Sequence, residues 1–298
     1  MAWLPKKFSL LYKYIGIFLL ITVIIVISFK FLSIPRENQL QTNLPLSSIG
    51  AELLLLDGSK IVRRGPTKIV VLRFLQPVEL RPFHFRHDGI DTTLNIEAWA
   101  EKLNAPVVFN AGQFDESLEY IGWLKRDGRY LSNRRKSTWK GLLVSGPIGD
   151  FFWGRIVDLH VVDGKIIDHY KHAIQSMMLI DAKSKLRVRD TDLSACRTVI
   201  IEDKQGRISI VITEGAVTLG DLARWLIASP LGVVRAMNFD GGIESQMVID
   251  TPELKLAIYG QYGTGATVWN PGSGRIRYPI PAVVAVHPVV TMQKEVCE

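Results

Sequence analysis

Asp240 and Glu244 stand four residues apart around two glycines in the stretch MNFDGGIESQMV, Met237 to Val248. The preceding GVVRAMNF reads as a strand, so a carboxylate sits at a strand end beside Gly241 and Gly242. Glycine admits positive φ and close approach of a ligand to the backbone. A carboxylate so placed suits acid/base chemistry or a grip on sugar hydroxyls. Asp-Gly is equally the commonest hairpin signal, and from these residues alone both readings stand.

Other nucleophilic or metal chemistry has little support. There is no Gly-x-Ser-x-Gly elbow, and neither cysteine, Cys196 or Cys297, has metal-ligand spacing. His84, His87 and Asp88 (HFRHD) and His169 and His172 (HYKH) lie in strand-like sequence, where residues three apart point to opposite faces. No metal and no cofactor is expected. The two cysteines can pair in an oxidising compartment, but spacing does not decide it.

The elements that must position Asp240 are mainly β. Asp57-Gly58, Asp127-Gly128, Asp163-Gly164 and Gln205-Gly206 each separate two apolar runs and predict four hairpins. NIEAWAEKLN (Asn95 to Asn104) and TLGDLARWLIAS (Thr218 to Ser229) predict helices, the second with Thr218 and Asp221 in a capping-box arrangement. Leu219, Leu222, Ala223 and Leu226 form its apolar stripe. Each helix precedes an apolar run that ends in asparagine, at Asn110 and at Asn238, and two such strand ends could share a cleft. The expected class is α+β: a mixed, largely antiparallel sheet with a few packed helices.

Residues 14–34 are almost wholly apolar and long enough to span a bilayer, with no small-x-small cleavage site after them. Residues 1–34 therefore read as a cytoplasmic tip and a transmembrane anchor, 35–50 as a linker, and 51–298 as one domain. Lys6, Lys7 and Lys13 precede the span, against Lys30 and Arg36 after it, which favours a cytoplasmic N-terminus and an extracytoplasmic body, in the periplasm or on the cell surface. The chain carries a net charge of +7, and residues 1–40 supply five basic and one acidic side chain, leaving little beyond them to argue for nucleic acid. One stretch, Trp123 to Gly141, is locally basic, with seven Lys and Arg against Asp127. It is either a solvated loop or a surface for an anionic partner, such as a phosphate-bearing glycan or lipid headgroups. Tyr259 to Pro279 carries five glycines and four aromatics, which suits a cleft-lining loop as well as a plain surface loop.

Five segments recur in a recognisable order: FNAGQFD from Phe109, AIQSMMLI from Ala173, SACRTVIIED from Ser194, VITEGAVTLGDLARWL from Val211, and AMNFDGGIESQMV from Ala236. Together they resemble the phosphodiester glycosidase family, whose members show N-x-G-F-F-like, Q-S-x-P-x-L-like, R-T-x-[IV]-G-like and N-L-D-G-G-x-S-like motifs. The matches cover roughly half the chain. Gln113 stands where an aromatic is frequent, Met177-Met178 where a proline is usual, Ile243 in place of a glycine and Glu244 in place of a serine.

The resemblance implies a hydrolase acting on a sugar–phosphodiester or related envelope linkage. Cleavage passes through an oxocarbenium-like state with a phosphomonoester leaving group. Asp240 is then expected to stabilise ring charge or position water, Arg197 to grip phosphate, and Asn110 and Asn238 to bind sugar hydroxyls. Gly241 and Gly242 allow close approach, and Glu244 and Glu214 are candidates for a general base or second carboxylate. A catalytically silent glycan-binding domain and an anchored assembly factor are the rival expectations.

Overall fold

The computed structural model describes residues 40–264 and 277–289, and Gln39–Glu298 form one compact unit. The residues read as a membrane anchor lie outside the described residues, as does Cys297. Among the described residues no helix is long and apolar enough to cross a membrane.

Two sheets carry the fold. The larger has the strand order Leu40–Leu46, Ala51–Asp57, Lys68–Phe74, Ile208–Thr213, Arg197–Asp203, Val233–Gly241, Tyr170–Ile180, Gly122–Arg126, Arg129–Arg134. Gly141–Pro147 also pairs with Tyr170–Ile180, and Gly154–Asp158 pairs with Gly141–Pro147. The smaller sheet runs Lys255–Tyr259, Gln246–Asp250, Val107–Asn110, Ala282–Pro288, Val78–His84. All pairings of these strands are antiparallel, so the expected mixed component is absent among them. The two helix-then-strand units do not make parallel neighbours because their strands, Val107–Asn110 and Val233–Gly241, enter different sheets.

Period-2 alternation sets the layers. Leu72, Ile200, Ile210 and Met237 of the large sheet face Phe109, Met247, Ile249 and Val284 of the small one in the main core. The rings of Phe109 and Phe239 meet in that layer at 5.9 Å, roughly parallel, one residue before Asn110 and Asp240 respectively. Val71, Val199, Ile201 and Val211 point the other way, onto Leu222, Ala223 and Leu226 of helix α2 (Leu219–Ala228). On the outer face of the small sheet, Val108, Val248 and Val283 receive Ile96 and Trp99 of helix α1 (Ile96–Leu103). Strands buried on both faces need apolar residues at successive positions, which is why VIIED and ISIVIT lack alternation. Both helices are capped as their sequences predict: the Asn95 side chain accepts from the Ala98 N–H at 2.9 Å, and Thr218 from that of Asp221 at 3.0 Å.

Three of the four expected hairpin signals lie between antiparallel neighbours. Arg126 and Arg129 flank a two-residue turn with φ of 49° at Asp127 and 79° at Gly128, and Arg197–Asp203 pairs with Ile208–Thr213. Ala51–Asp57 pairs with Lys68–Phe74, Asp57 opposite Lys68, across residues 58–67 and not across a tight turn, whereas after Asp163 the chain winds into a 3-10 helix, Gly164–His169. In both cases the side chain of the aspartate receives an N–H two residues on, a local turn that displaces the two-residue hairpin turn. The linker reading is also corrected. Leu40–Leu46 is an edge strand, and its Pro45 sits where a missing N–H is tolerated.

Candidate active site

The strand Val233–Gly241 does not turn back on itself at Asp240. Gly242–Glu244 form one 3-10 turn that carries the chain from the large sheet into Gln246–Asp250 of the small one. Asp-Gly-Gly is therefore a crossing between sheets and not a hairpin. Gly242 has φ 75°, a left-handed conformation that favours glycine, and its N–H donates to the Cys196 carbonyl at 2.9 Å. A Cβ on Gly241 would lie 2.7 Å from that same carbonyl oxygen and 3.3 Å from Arg197 Nη1. The close approach that Gly241 permits is thus of one strand to its neighbour.

Behind the crossing lies a buried hydrogen-bond brace. Asn110, 2% exposed, ends its strand in the small sheet and donates from Nδ2 to the carbonyls of Asp240 at 3.0 Å and Ala111 at 3.1 Å. Its Oδ1 accepts from Thr198 Oγ1 at 2.7 Å and from the Gln246 N–H at 3.1 Å, and Thr198 Oγ1 also bonds Ser245 Oγ at 2.7 Å. On the far side Ser176 donates to the Asn238 carbonyl. Gln175 is committed throughout: it accepts from the N–H groups of Trp123 and Lys136 and donates to the carbonyls of Lys136 and Trp139.

In front of the crossing a cavity of about 370 Å³ is lined by Gln113, Phe114, Met177, Ala195, Arg197, Asn238, Asp240, Gly241, Gly242, Ile243, Glu244, Gly263 and Thr264. Arg197 is 8% exposed and held by bonds from Nε to the Val217 carbonyl at 3.2 Å and from Nη2 to that of Leu193 at 3.0 Å. It enters no ion pair among the described residues, and burial lowers its pKa without threatening its charge. Asp240 accepts the Gly241 N–H at 2.9 Å. Burial, then the nearby Glu244, push its pKa up to about 7, partly opposed by the Gly241 N–H and by Arg197. Burial also raises Glu244. Burial, Glu244 and Asp240 together raise the neighbouring Tyr278 phenol. Two carboxylates and a guanidinium therefore share a half-enclosed space, and one carboxylate titrates near neutrality.

Of the expected site residues, the fold brings Asp240, Glu244, Arg197, Asn238, Gly241 and Gly242 to this wall. Asn238 is 3% exposed, with Nδ2 bonded to the Phe239 carbonyl and Oδ1 without a partner among the described residues. Asn110 is not on the wall: its amide is consumed in the brace, so its place is to position Asp240. Glu214 is not on the wall either. It lies beside Cys196, whose buried Sγ donates to the Glu214 carbonyl at 3.2 Å. Thr198 and Ser245 escaped notice because a lone hydroxyl in an apolar strand or after a turn has no pattern of its own. Within the glycine-rich C-terminal segment, Gly263 and Thr264 reach the wall, while residues 265–276 lie outside the described residues.

The family profile described as phosphodiester glycosidase matches residues 104–287. The chain belongs to the phosphodiester glycosidase family. Among solved structures, a hypothetical protein from Synechocystis is similar at 13% identity and a TM-score of 0.56, covering 80% of this chain. The match spans 62% of the Synechocystis chain. The zebrafish N-acetylglucosamine-1-phosphodiester alpha-N-acetylglucosaminidase catalytic domain, auto-inhibited by its pro-peptide, is similar at 15% identity and a TM-score of 0.52, covering 83% of this chain and 81% of its own. These likenesses establish the shared fold. Comparison with curated proteins gives no match. Of the positions that depart from the family motifs, Gln113, Ile243 and Glu244 line the cavity beside the motif residues Arg197, Asn238, Asp240, Gly241 and Gly242. Asn110, Gln175, Ser176 and Thr198 keep the motif and stand behind it, and Met178, at the proline position, is buried in the main core.

Proposed function

We propose that this phosphodiester glycosidase family member is a membrane-anchored extracytoplasmic hydrolase that cleaves a glycosyl phosphodiester of the cell envelope. The observation that carries the reading is the pairing, in one cavity, of Asp240 near neutrality with a buried Arg197 free of any ion pair among the described residues. Arg197 neutralises the phosphate of the leaving group, whose departure as a phosphomonoester needs no strong acid. The bond from the anomeric carbon to the phosphate oxygen breaks, and water supplies the new oxygen. The proton released goes to a carboxylate and then to solvent. Asp240, ionised, stabilises positive charge on the ring or orients the water, and Glu244 is the second carboxylate within reach of the same event. The apolar segment at 14–34 supports the anchor, and the flanking lysines its orientation.

A second reading, glycan binding without turnover, draws on the concentration of departures in the wall, Glu244 above all. Turnover of a panel of glycosyl-1-phosphodiesters by the detergent-solubilised full chain decides between them. Asp240→Asn should lower kcat/KM by about 10³-fold, roughly 4 kcal/mol of transition-state stabilisation, with the fold intact by circular dichroism. Phosphodiester binding without turnover, unchanged in Asp240→Asn, would replace the hydrolase reading with the binding one.

A further inference from the structure

The locally basic stretch left aside by the cavity chemistry adjoins the cavity. Asn133 to Thr138 is exposed, and from Arg129 to Lys140 there are five cations and no acid. Arg134 pairs with Asp115, in the loop just after the wall residues Gln113 and Phe114. Arg135 lies flat over Trp123 at 4.8 Å, and neither it, Lys136 nor Lys140 enters an ion pair among the described residues. Gln175 clamps both backbone groups of Lys136, at 3.1 and 2.9 Å, and two residues further along its strand Met177 lines the cavity. Two residues of strand are about 7 Å. The backbone of Lys136 is therefore fixed against the strand whose Met177 lines the wall, with Arg135 beside it and Lys140 four residues on. A solvated loop has no reason to be pinned this way, whereas an anion-binding rim does: fixed donors lose less freedom on binding.

Resting on the hydrolase reading above, we propose that Arg135, Lys136 and Lys140 form a second anion subsite continuous with the cavity, and that the preferred substrate is a polyanion. It is a glycosyl phosphodiester bearing further phosphate groups beyond the scissile one. The Arg197 site holds the reacting phosphate, and the rim holds the next along the chain. Close phosphates gain most from such spacing because their interaction with the rim is within the screening length of about 8 Å at physiological salt.

The test uses the full chain in neutral detergent and two probes. The one-unit probe is N-acetylglucosamine-1-phosphate esterified to glycerol alone, with no phosphate beyond the scissile one, and the four-unit probe is the same phosphate esterified to a chain of four glycerol phosphate units. At low salt the four-unit probe should be cleaved with kcat/KM about 10-fold above the one-unit probe. Arg135→Gln with Lys136→Gln, which keeps the aliphatic stem over Trp123, should remove that preference and leave the one-unit probe unaffected. Equal kcat/KM for the two probes, or an equal loss on both in the double variant, overturns the subsite while leaving the hydrolase reading in place. If neither probe is turned over, the hydrolase reading fails, and anisotropy of a labelled four-unit chain decides the subsite by itself. Binding lost in the double variant supports it, and binding unchanged, or confined to phosphatidylglycerol vesicles, overturns it.

Discussion

The rear and the front of the site follow different rules. At the rear, Asn110, Thr198, Ser245, Gln175 and Ser176 are buried and tie three strands to the Asp240 crossing. At the front, Gln113, Ile243 and Glu244 face the cavity and depart from the family motif, beside Asp240, Arg197 and Asn238, which keep it. A buried polar group must keep all its partners, because any one left unpaired costs about 1–3 kcal/mol. A wall residue answers only to what enters the cavity. The polar brace behind holds the crossing in place, and the departures at Gln113, Ile243 and Glu244 fall where only the cavity constrains the side chain.

Breaking the rear should cost most. Asn110→Ala strands the Asp240 carbonyl, the Gln246 N–H and the Thr198 hydroxyl, and should destabilise the protein by about 2–4 kcal/mol in urea unfolding, with activity lost in proportion. A loss below 1 kcal/mol would mean that the brace is not what holds the crossing.

Asp240 joins the two regions, and its pH dependence has a definite sign. Its folded pKa of about 7 is above the ordinary carboxylate value of 3.8. Between those values the folded state holds a proton that the unfolded chain has released, so stability falls as pH rises through this window. Relative to the wild type, Asp240→Asn should therefore gain on the order of 1–3 kcal/mol on going from pH 4 to pH 8. Thermal melts of both proteins across that range measure it, and parallel curves would place Asp240 in a solvated setting.

At the front, Glu244→Gln removes the like charge that helps raise Asp240. Activity that depends on ionised Asp240 rises with pH through about 7 in the wild type. In Glu244→Gln the same limb should move down by about one pH unit, as expected for removal of a neighbouring carboxylate. An unmoved limb would assign it to another group. The smallest effect is expected at Gln113, which is on the wall and outside the brace: Gln113→Ala should leave stability within about 0.5 kcal/mol and change KM for a glycosyl-1-phosphodiester several-fold. A large stability loss there would erase the distinction between front and rear.

Much of the frame is legible in the chain. The two helices are readable because Asn95 and Thr218 are capping residues ahead of apolar stripes at 3.6 spacing. The hairpin at Asp127-Gly128 is readable because only a short list of residues takes two successive positive φ values. Asp163-Gly164 misled, and Asp57-Gly58 opens a longer connection between its paired strands, because the same dipeptide also closes local turns through the aspartate side chain. Asp240, Glu244 and the two glycines were marked by type and spacing, and Arg197 by the family resemblance. The separate fates of Asn110 and Asn238 were not, since nothing along the chain distinguishes an amide in a brace from one on a wall.

The sequence by itself determined the alternating and doubly apolar strands, the caps and the order of the motifs, because propensity and burial pattern act over a few residues. Only the tertiary structure decided that Asp240 lies at a crossing between two sheets. It alone brought residues 110, 198 and 245 into one brace, and it set Glu244 beside Asp240 in a space dry enough to lift a carboxylate to neutrality. Desolvation and hydrogen-bond closure depend on atoms far apart in the chain, and no local pattern carries them.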